Sequence, residues 1–70
     1  MSIKVLVNTR AIKVKRAELD MTQEVLAQKV GVGQTYICEI ENGKVPSLAL
    51  MANIAHALGC TIDELLIKEE

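Results

Sequence analysis

Hydrophobic residues recur at helical spacing on both sides of a glycine in the middle of the chain. Leu26 and Val30 lie one turn apart, and Ile37 and Ile40 lie three residues apart, so each pair falls on one face of a helix. Gly31, between the two pairs, suits the left-handed backbone in which a helix commonly ends. The pattern therefore predicts two short helices joined by a tight turn, with the outer face of the second helix free to contact another molecule.

A first helix is predicted over residues 9–19, with Asn8 or Thr9 as its cap. Helical spacing places three residues on its inward face, namely Ile12, Arg16 and Leu19. A buried lone charge is very unfavourable, so Arg16 needs a partner, and Glu41 is the best candidate. We therefore expect an ion pair between Arg16 and Glu41. The alternative is a contact between Arg16 and a phosphate group.

Capping residues in the second half of the chain predict two further helices. Ser47 caps a fourth helix that runs to Leu58 and stops at Gly59. Its inward stripe comprises Leu48, Met51, Ile54, Ala55 and Leu58. Thr61 and Glu64 have the capping-box spacing, which predicts a fifth helix. The chain is thus predicted to be an all-α protein with the architecture of a compact five-helix bundle.

The N-terminal residues partly alternate between hydrophobic and polar side chains and are rich in β-branched types. Residues 2–7 therefore favour a strand, but a lone strand is unstable and needs a partner. That partner is either residues 66–69 or the same segment of a second subunit, giving a short terminal β-ribbon. The alternatives are an arm packed on the bundle or the start of the first helix. We predict one domain over residues 1–70, with an arm or strand over residues 1–8 and the helical bundle over residues 9–66.

Length and composition restrict both the core and the chemistry. Seventy residues allow one domain with a small core, and dimerisation commonly stabilises chains of this size. Tyr36 is the single aromatic residue, so the core must consist of aliphatic residues and methionine. The single histidine, His56, and two cysteines without C-x-x-C spacing give no metal-binding pattern. We therefore predict no metal, no cofactor and no enzymatic activity.

The chain carries no sequence feature that would direct it to a membrane. It has no run of about 18 apolar residues, so no membrane span is expected. The first residues lack the apolar segment and cleavage site of a signal peptide. We therefore predict a cytoplasmic protein in which Cys38 and Cys60 are free thiols, packed as small side chains.

The distribution of charge is more informative than the net charge. The formal net charge is −1 and the isoelectric point is near 5.8, which argues against nucleic-acid binding by the domain as a whole. Residues 1–44 carry seven basic and five acidic side chains, whereas residues 45–70 carry one basic and four acidic ones. The half that contains the two central helices is therefore mildly positive, and a local field of this sign is compatible with DNA binding.

An ordered set of residues over positions 10–66 resembles the helix-turn-helix of the Xre/Cro family of small phage and bacterial repressors. The set comprises Ala27, Gly31, Ile37 and Ile40, the preceding Thr22-Gln23-Glu24, and segments 40–44, 46–48, 57–59 and 61–66. The resemblance implies a lambda repressor-like fold with the helix-turn-helix at helices 2 and 3. It also implies that the third helix, over about residues 34–41, enters the major groove of double-stranded DNA.

Three polar residues on the outer face of the third helix are predicted to contact bases. Gln34 can bond adenine N6 and N7, Thr35 can touch a thymine methyl group, and Glu39 can accept from cytosine N4. A plain solvated face is the alternative, and the family motif favours DNA. The predicted phosphate contacts are Thr22, Gln23, Tyr36, Asn42 and Lys44.

The resemblance implies three more specific contacts. The amide of Gln23 would touch the DNA backbone and brace Gln34, the first residue of the third helix. Exposed amides in the turn 42–44 would bind a second phosphate. Arg16 and Glu41 match positions that are paired in repressors of this family.

Together these features predict a sequence-specific, double-stranded DNA-binding transcriptional regulator. We expect a homodimeric repressor or autoregulator that reads a palindromic operator through its third helix. The alternative is a protein-interaction module, such as the antitoxin of a toxin–antitoxin pair, with a small toxin as its protein partner.

Overall fold

The computed structural model describes the backbone of residues 4–69 and the side chains of residues 6–67. Within that range the helices are α1 Thr9–Glu18, α2 Gln23–Val30, α3 Gln34–Glu41 and α4 Leu48–Leu58, and the strands are β1 Lys4–Val7 and β2 Leu66–Glu69. A single 3₁₀ turn over Asp63–Leu65 leads into β2. Each helix buries one face against a shared aliphatic core.

The predicted β-ribbon is present, and it joins the two ends of the described chain. β1 pairs antiparallel with β2, so that Val7 lies opposite Leu66 and Leu6 lies opposite Ile67. Of the two partners considered for the strand, β1 therefore uses residues 66–69. Residues 2 and 3 of the predicted strand lie outside the described residues. Val7 is buried, so the ribbon contributes to the core.

The predicted fifth helix is wrong, and the reason is this ribbon. The capping box itself forms, because the N–H of Thr61 donates to Glu64 Oε2 at 2.8 Å and the N–H of Glu64 donates to Thr61 Oγ1 at 3.3 Å. One 3₁₀ turn follows, after which Leu66 is extended and pairs with β1. The N–H of Asn8 holds the junction by donating to Leu65 O at 2.8 Å. Residues 4–69 therefore contain four α-helices and a two-stranded sheet.

The boundaries of the four helices follow their capping residues. The side-chain oxygens of Asn8, Thr22 and Ser47 each accept a hydrogen bond from the N–H three residues later, at 3.1, 3.1 and 3.2 Å. α3 is the exception because its cap is Gly33, which has no side chain to accept such a bond. α2 ends at Gly31, whose φ of +79° is the left-handed conformation predicted for this position.

The core is aliphatic, but two residues expected in it are exposed. The buried hydrophobic residues are Val7, Ile12, Leu26, Ala27, Ile37, Ile40, Met51, Ile54, Ala55, Leu58 and Leu65. In contrast, Leu19 is 50% exposed and Leu48 is 73% exposed. Leu19 follows the last residue of α1, and Leu48 is the first residue of α4. Helical spacing therefore predicts which residues are buried in the middle of a helix. It fails at the helix ends, where the chain leaves the packed surface.

Glu64 makes the stability of the 3₁₀ turn depend on pH. The backbone N–H of Thr61 lowers the pKa of Glu64 most, followed by the Thr61 hydroxyl and the charge of Lys15, whose Nζ lies 3.5 Å from Glu64 Oε1. The folded-state pKa is thus lower than the unfolded one. The resulting stabilisation is fully present above the ordinary pKa of a glutamate and is lost as the pH falls through the lowered pKa.

We therefore expect the difference in unfolding free energy between the wild type and Glu64→Gln to shrink over that acidic window. Glutamine keeps a capping acceptor and removes only the titrating charge. Urea unfolding at a series of pH values measures the difference, and an NMR titration of the Glu64 carboxylate locates its pKa. A difference that does not change with pH would contradict the prediction.

Candidate nucleic-acid interface

The turn that begins at Gly31 sets the angle between α2 and α3. The N–H groups of Gly31 and Val32 both donate to Ala27 O, at 2.9 and 3.0 Å. Ala27 is buried, and its small side chain allows the two helices to pack closely. Ile37 and Ile40 lie in the core, so the opposite face of α3 is turned to solvent.

The solvent face of α3 carries the residues predicted to contact bases. Gln34, Thr35 and Glu39 are all exposed. The side chains of Gln34 and Thr35 form no hydrogen bond with any described residue, so their polar groups are available to a ligand. A Cβ built on Gly33 would meet nothing within 4 Å, so the space in front of the helix is open. An exposed helix with polar groups of this kind has the shape that the major groove admits.

Glu39 differs from Gln34 and Thr35 because it is already paired. Lys44 Nζ lies 3.6 Å from Glu39 Oε1 and 4.6 Å from the centroid of the Tyr36 ring. The side chains of Glu39 and Lys44 are 51% and 49% exposed, so the ion pair is weak and its partners can exchange. Lys44 therefore reduces the negative potential that Glu39 adds to the α3 face. Sequence patterns did not indicate this cluster, because its members contact one another across the end of the helix.

The turn after α3 differs from the predicted phosphate contact. The N–H groups of Asn42 and Lys44 each donate to Glu39 O at 3.0 Å. The N–H of Gly43 donates to Ile40 O, also at 3.0 Å. The side-chain nitrogen of Asn42 donates to Cys38 O at 2.8 Å. The expectation of exposed amides in this turn is therefore wrong, since the helix end uses them to satisfy its own carbonyl groups.

A buried ion pair joins α1 to the end of α3. Arg16 Nε lies 2.8 Å from Glu41 Oε2, and Arg16 Nη2 lies 3.2 Å from Glu41 Oε1. The third guanidinium nitrogen, Nη1, donates to Met21 O at 2.9 Å. The expected pair between Arg16 and Glu41 is therefore present. Every guanidinium nitrogen has an acceptor within the chain, which argues against a phosphate contact by Arg16.

Gln23 is held by the same carboxylate. Its Nε2 donates to Glu41 Oε1 at 3.0 Å, and no hydrogen bond joins it to Gln34 in the described part of the chain. The expected brace between Gln23 and Gln34 is therefore wrong for this structure. A buried carboxylate is a stronger hydrogen-bond acceptor than a neutral amide, which accounts for the change of partner.

The two cysteines lie in different surroundings. Cys60 is half-buried and packs against the core as expected, and burial raises the pKa of its thiol. Cys38 is exposed on α3, so the expectation that it packs as a small side chain is wrong. Its Sγ lies 3.6 Å from Asn42 Nδ2. Cys38 follows Thr35 by about one helical turn, and this spacing would have placed it beside the base-contacting face.

The described residues provide no arrangement suited to a metal ion. No group of three or more His, Cys, Asp and Glu side chains between residues 4 and 69 is placed to hold one. His56 lies exposed on the outer side of α4. None of the helices in this part of the chain combines the length and apolarity that crossing a bilayer requires.

Comparison with known sequences relates most of the chain to one group of proteins. A family model described as helix-turn-helix matches residues 12–65. An uncharacterised HTH-type transcriptional regulator from Archaeoglobus fulgidus is 43% identical over 60 residues, which cover 84% of each chain. The immunity repressor protein of Bacillus phage phi105 is 38% identical over 65 residues, covering 84% of this chain and 45% of the repressor. Control protein C.MunI from Mycoplasma is 34% identical, covering 90% of this chain and 86% of that protein.

Solved structures show the same arrangement of helices. SinR, a master regulator for biofilm formation crystallised in complex with DNA, superposes with a TM-score of 0.72 at 26% identity, covering 79% of this chain and 90% of SinR. FeII HppE gives a TM-score of 0.77 at 28% identity, covering 84% of this chain. The chain spans about a third of HppE, 32% of its length, so the likeness concerns that part of HppE alone.

Proposed function

The chain belongs to the Xre- and lambda-repressor-like helix-turn-helix family of DNA-binding transcriptional regulators, and we propose that it binds double-stranded DNA sequence-specifically as a homodimer. It is a regulator and not an enzyme. In the cytoplasm it represses transcription, its own included, from a palindromic operator. The observation that carries the proposal is the α3 face, where Gln34 and Thr35 are exposed and form no hydrogen bond with another described residue.

Base recognition is assigned to three residues of α3. The amide of Gln34 can donate to and accept from one adenine through N6 and N7, and Thr35 can contact a thymine methyl group. Glu39 can accept from cytosine N4 once Lys44 has exchanged its carboxylate for a phosphate. Because the Glu39–Lys44 pair is half exposed, this exchange has a small energetic cost.

The DNA backbone is contacted on both sides of α3. The proposed phosphate contacts are Thr22, Gln23, Tyr36, Asn42 and Lys44. Thr22 and Gln23 lie at the start of α2, where free backbone N–H groups favour an anion. Lys44 supplies the positive charge at the other end, since the amides of its turn are engaged within the chain.

One subunit alone offers few contacts to DNA, and dimerisation doubles them. A single chain offers one short recognition helix, and its formal charge of −1 gives little general attraction to DNA. Two subunits related by a twofold axis present two copies of α3 to half-sites one helical turn apart, about 34–36 Å in the phage repressors that define this geometry. The operator is therefore expected to be a palindrome with that half-site spacing.

Titration of the protein with two DNA duplexes tests the proposal. One duplex comes from the region upstream of the protein's own gene, and the other is its scrambled sequence. Gln34→Ala should lose discrimination at one base pair per half-site, by about 1–3 kcal/mol. Lys44→Ala should weaken binding to both duplexes alike and lower the log–log salt slope by about one per subunit.

Gln28→Ala and Lys29→Ala are the matched controls, since both residues are exposed on α2 and neither belongs to the proposed interface. Both variants should bind like the wild type. Equal losses for Gln34→Ala on every DNA sequence would contradict its role in base recognition. A wild-type protein that shows no sequence preference against a wider pool of duplexes would contradict the proposed function itself.

A further inference from the structure

We infer that Glu41 is a positioning residue for the DNA-backbone contact of Gln23. The inference rests on the proposed function, because Gln23 is a phosphate contact only if the α3 face binds DNA. Glu41 itself is buried and reaches no ligand, since its side chain is 2% exposed. It acts through the side-chain amide of the first residue of α2.

The carboxylate of Glu41 connects three helices. Arg16 of α1 donates to both of its oxygens, at 2.8 and 3.2 Å. Gln23 of α2 donates to Oε1 at 3.0 Å. Glu41 is the last residue of α3, so these bonds hold the start of α2 against the end of the recognition helix.

The chemistry of the acceptor determines which way the Gln23 amide is turned. A carboxylate only accepts hydrogen bonds, so Gln23 approaches Glu41 with its nitrogen and not with its oxygen. That nitrogen carries two N–H groups, and Glu41 occupies one of them. A phosphate oxygen is also only an acceptor, so a flipped amide would present its carbonyl oxygen and be repelled. Glu41 therefore selects the orientation in which Gln23 offers a donor.

The position of Gln23 at the start of α2 lets its side-chain N–H group reach a phosphate bound at that helix end. It directly follows the cap Thr22, where the first N–H groups of α2 have no helical partner. A phosphate at this helix end can accept from the backbone and from the Gln23 side chain together. The guanidinium of Arg16 offsets the negative charge of Glu41, so the carboxylate can orient Gln23 without repelling the DNA backbone.

A thermodynamic cycle in DNA affinity tests this role. The four proteins are the wild type, Gln23→Ala, the apolar replacement Arg16→Met/Glu41→Leu, and the combination of all three substitutions. The apolar pair removes the carboxylate without leaving the guanidinium unpaired, so the fold is retained. The probe is a short duplex that the wild type enriches from a random-sequence pool.

Gln23→Ala should reduce affinity by about tenfold in the wild type, as loss of a hydrogen bond to a charged group does. In the apolar background, where Gln23 has no anchor, the same substitution should cost less than about twofold. Gln28→Ala, an exposed glutamine on the same helix, should have no effect in either background. An equal loss in both backgrounds would overturn the inference and leave DNA binding intact. Failure of the wild type to enrich any duplex would overturn the proposed function, and this inference with it.

A measurement on the wild type alone gives a second test. The two side-chain amide protons of Gln23 are distinguishable by NMR, and the one bonded to Glu41 should exchange slowly with water. We expect that protection to persist when the duplex is added, because Glu41 keeps its bond while the second proton binds phosphate. Loss of the protection on binding DNA would show that Gln23 leaves Glu41, which overturns the inference.

Discussion

Replacement of Glu41 by alanine should lower the free energy of unfolding by about 3–5 kcal/mol. The substitution leaves the Arg16 guanidinium, whose side chain is 20% exposed, without its carboxylate partner. It also removes the acceptor of Gln23. Because Arg16 retains some contact with water, a value near the lower limit is expected. Urea unfolding followed by circular dichroism measures the change.

Glu39→Ala is the matched control, because Glu39 lies on the same helix and is also paired with a cation. Its side chain is 51% exposed, so its loss should cost less than about 1 kcal/mol. Arg16→Met/Glu41→Leu should remain close to the wild type in stability, since neither partner is left charged and buried. Similar effects for Glu41→Ala and Glu39→Ala would show that burial of the pair has no bearing on stability.

Replacement of Leu65 by alanine should destabilise the fold by about 2–5 kcal/mol, the range for deleting a fully buried leucine side chain. Leu65 has 0% exposure and lies at the end of the 3₁₀ turn, where its carbonyl accepts the Asn8 N–H at 2.8 Å. The cavity would open between the helical core and the ribbon. The same urea titration gives the unfolding free energy.

Leu48→Ala provides the comparison for this second prediction. It makes the identical change of side chain at a residue that is 73% exposed, so its effect should stay within about 0.5 kcal/mol. A large loss for Leu48→Ala and a small one for Leu65→Ala would reverse the assignment of the core. Comparison of the two leucine variants thus also tests the finding that Leu48 lies outside the core, where helical spacing had placed it.

Features that depend on neighbours in sequence were predictable. The caps Thr22 and Ser47 were predicted, and Asn8 was one of two candidates for α1, because each cap bonds a backbone N–H only three residues away. The same locality explains why Gly31 identified the turn. The exposed face of α3 followed from the burial of Ile37 and Ile40 on its opposite side. The capping box of Thr61 also formed as expected.

Features that depend on distant residues were not predictable in the same way. The capping box is followed by a strand instead of a helix, because Leu66 finds a partner in Val7 at the other end of the chain. Gln23 bonds Glu41 instead of Gln34, and this choice depends on how three helices meet. The position of Lys44 over Tyr36 was also missed, because it depends on how the chain turns after α3. In the candidate site, sequence therefore indicated that Gln34, Thr35 and Glu39 face outward, but it missed the exposure of Cys38 and did not show which residues restrain one another.

The ribbon also bears on the order in which the chain folds. Its four residue pairs join positions 4–7 to positions 66–69, so forming them closes a loop of nearly the full described length. The hydrogen bonds of each helix join residues close in sequence, whereas the ribbon bears the loop-closure entropy of some 60 residues. We therefore expect the ribbon to form after the helices have brought its two strands together. Truncation within β1 should therefore also release β2, although the two strands lie at opposite ends of the described residues.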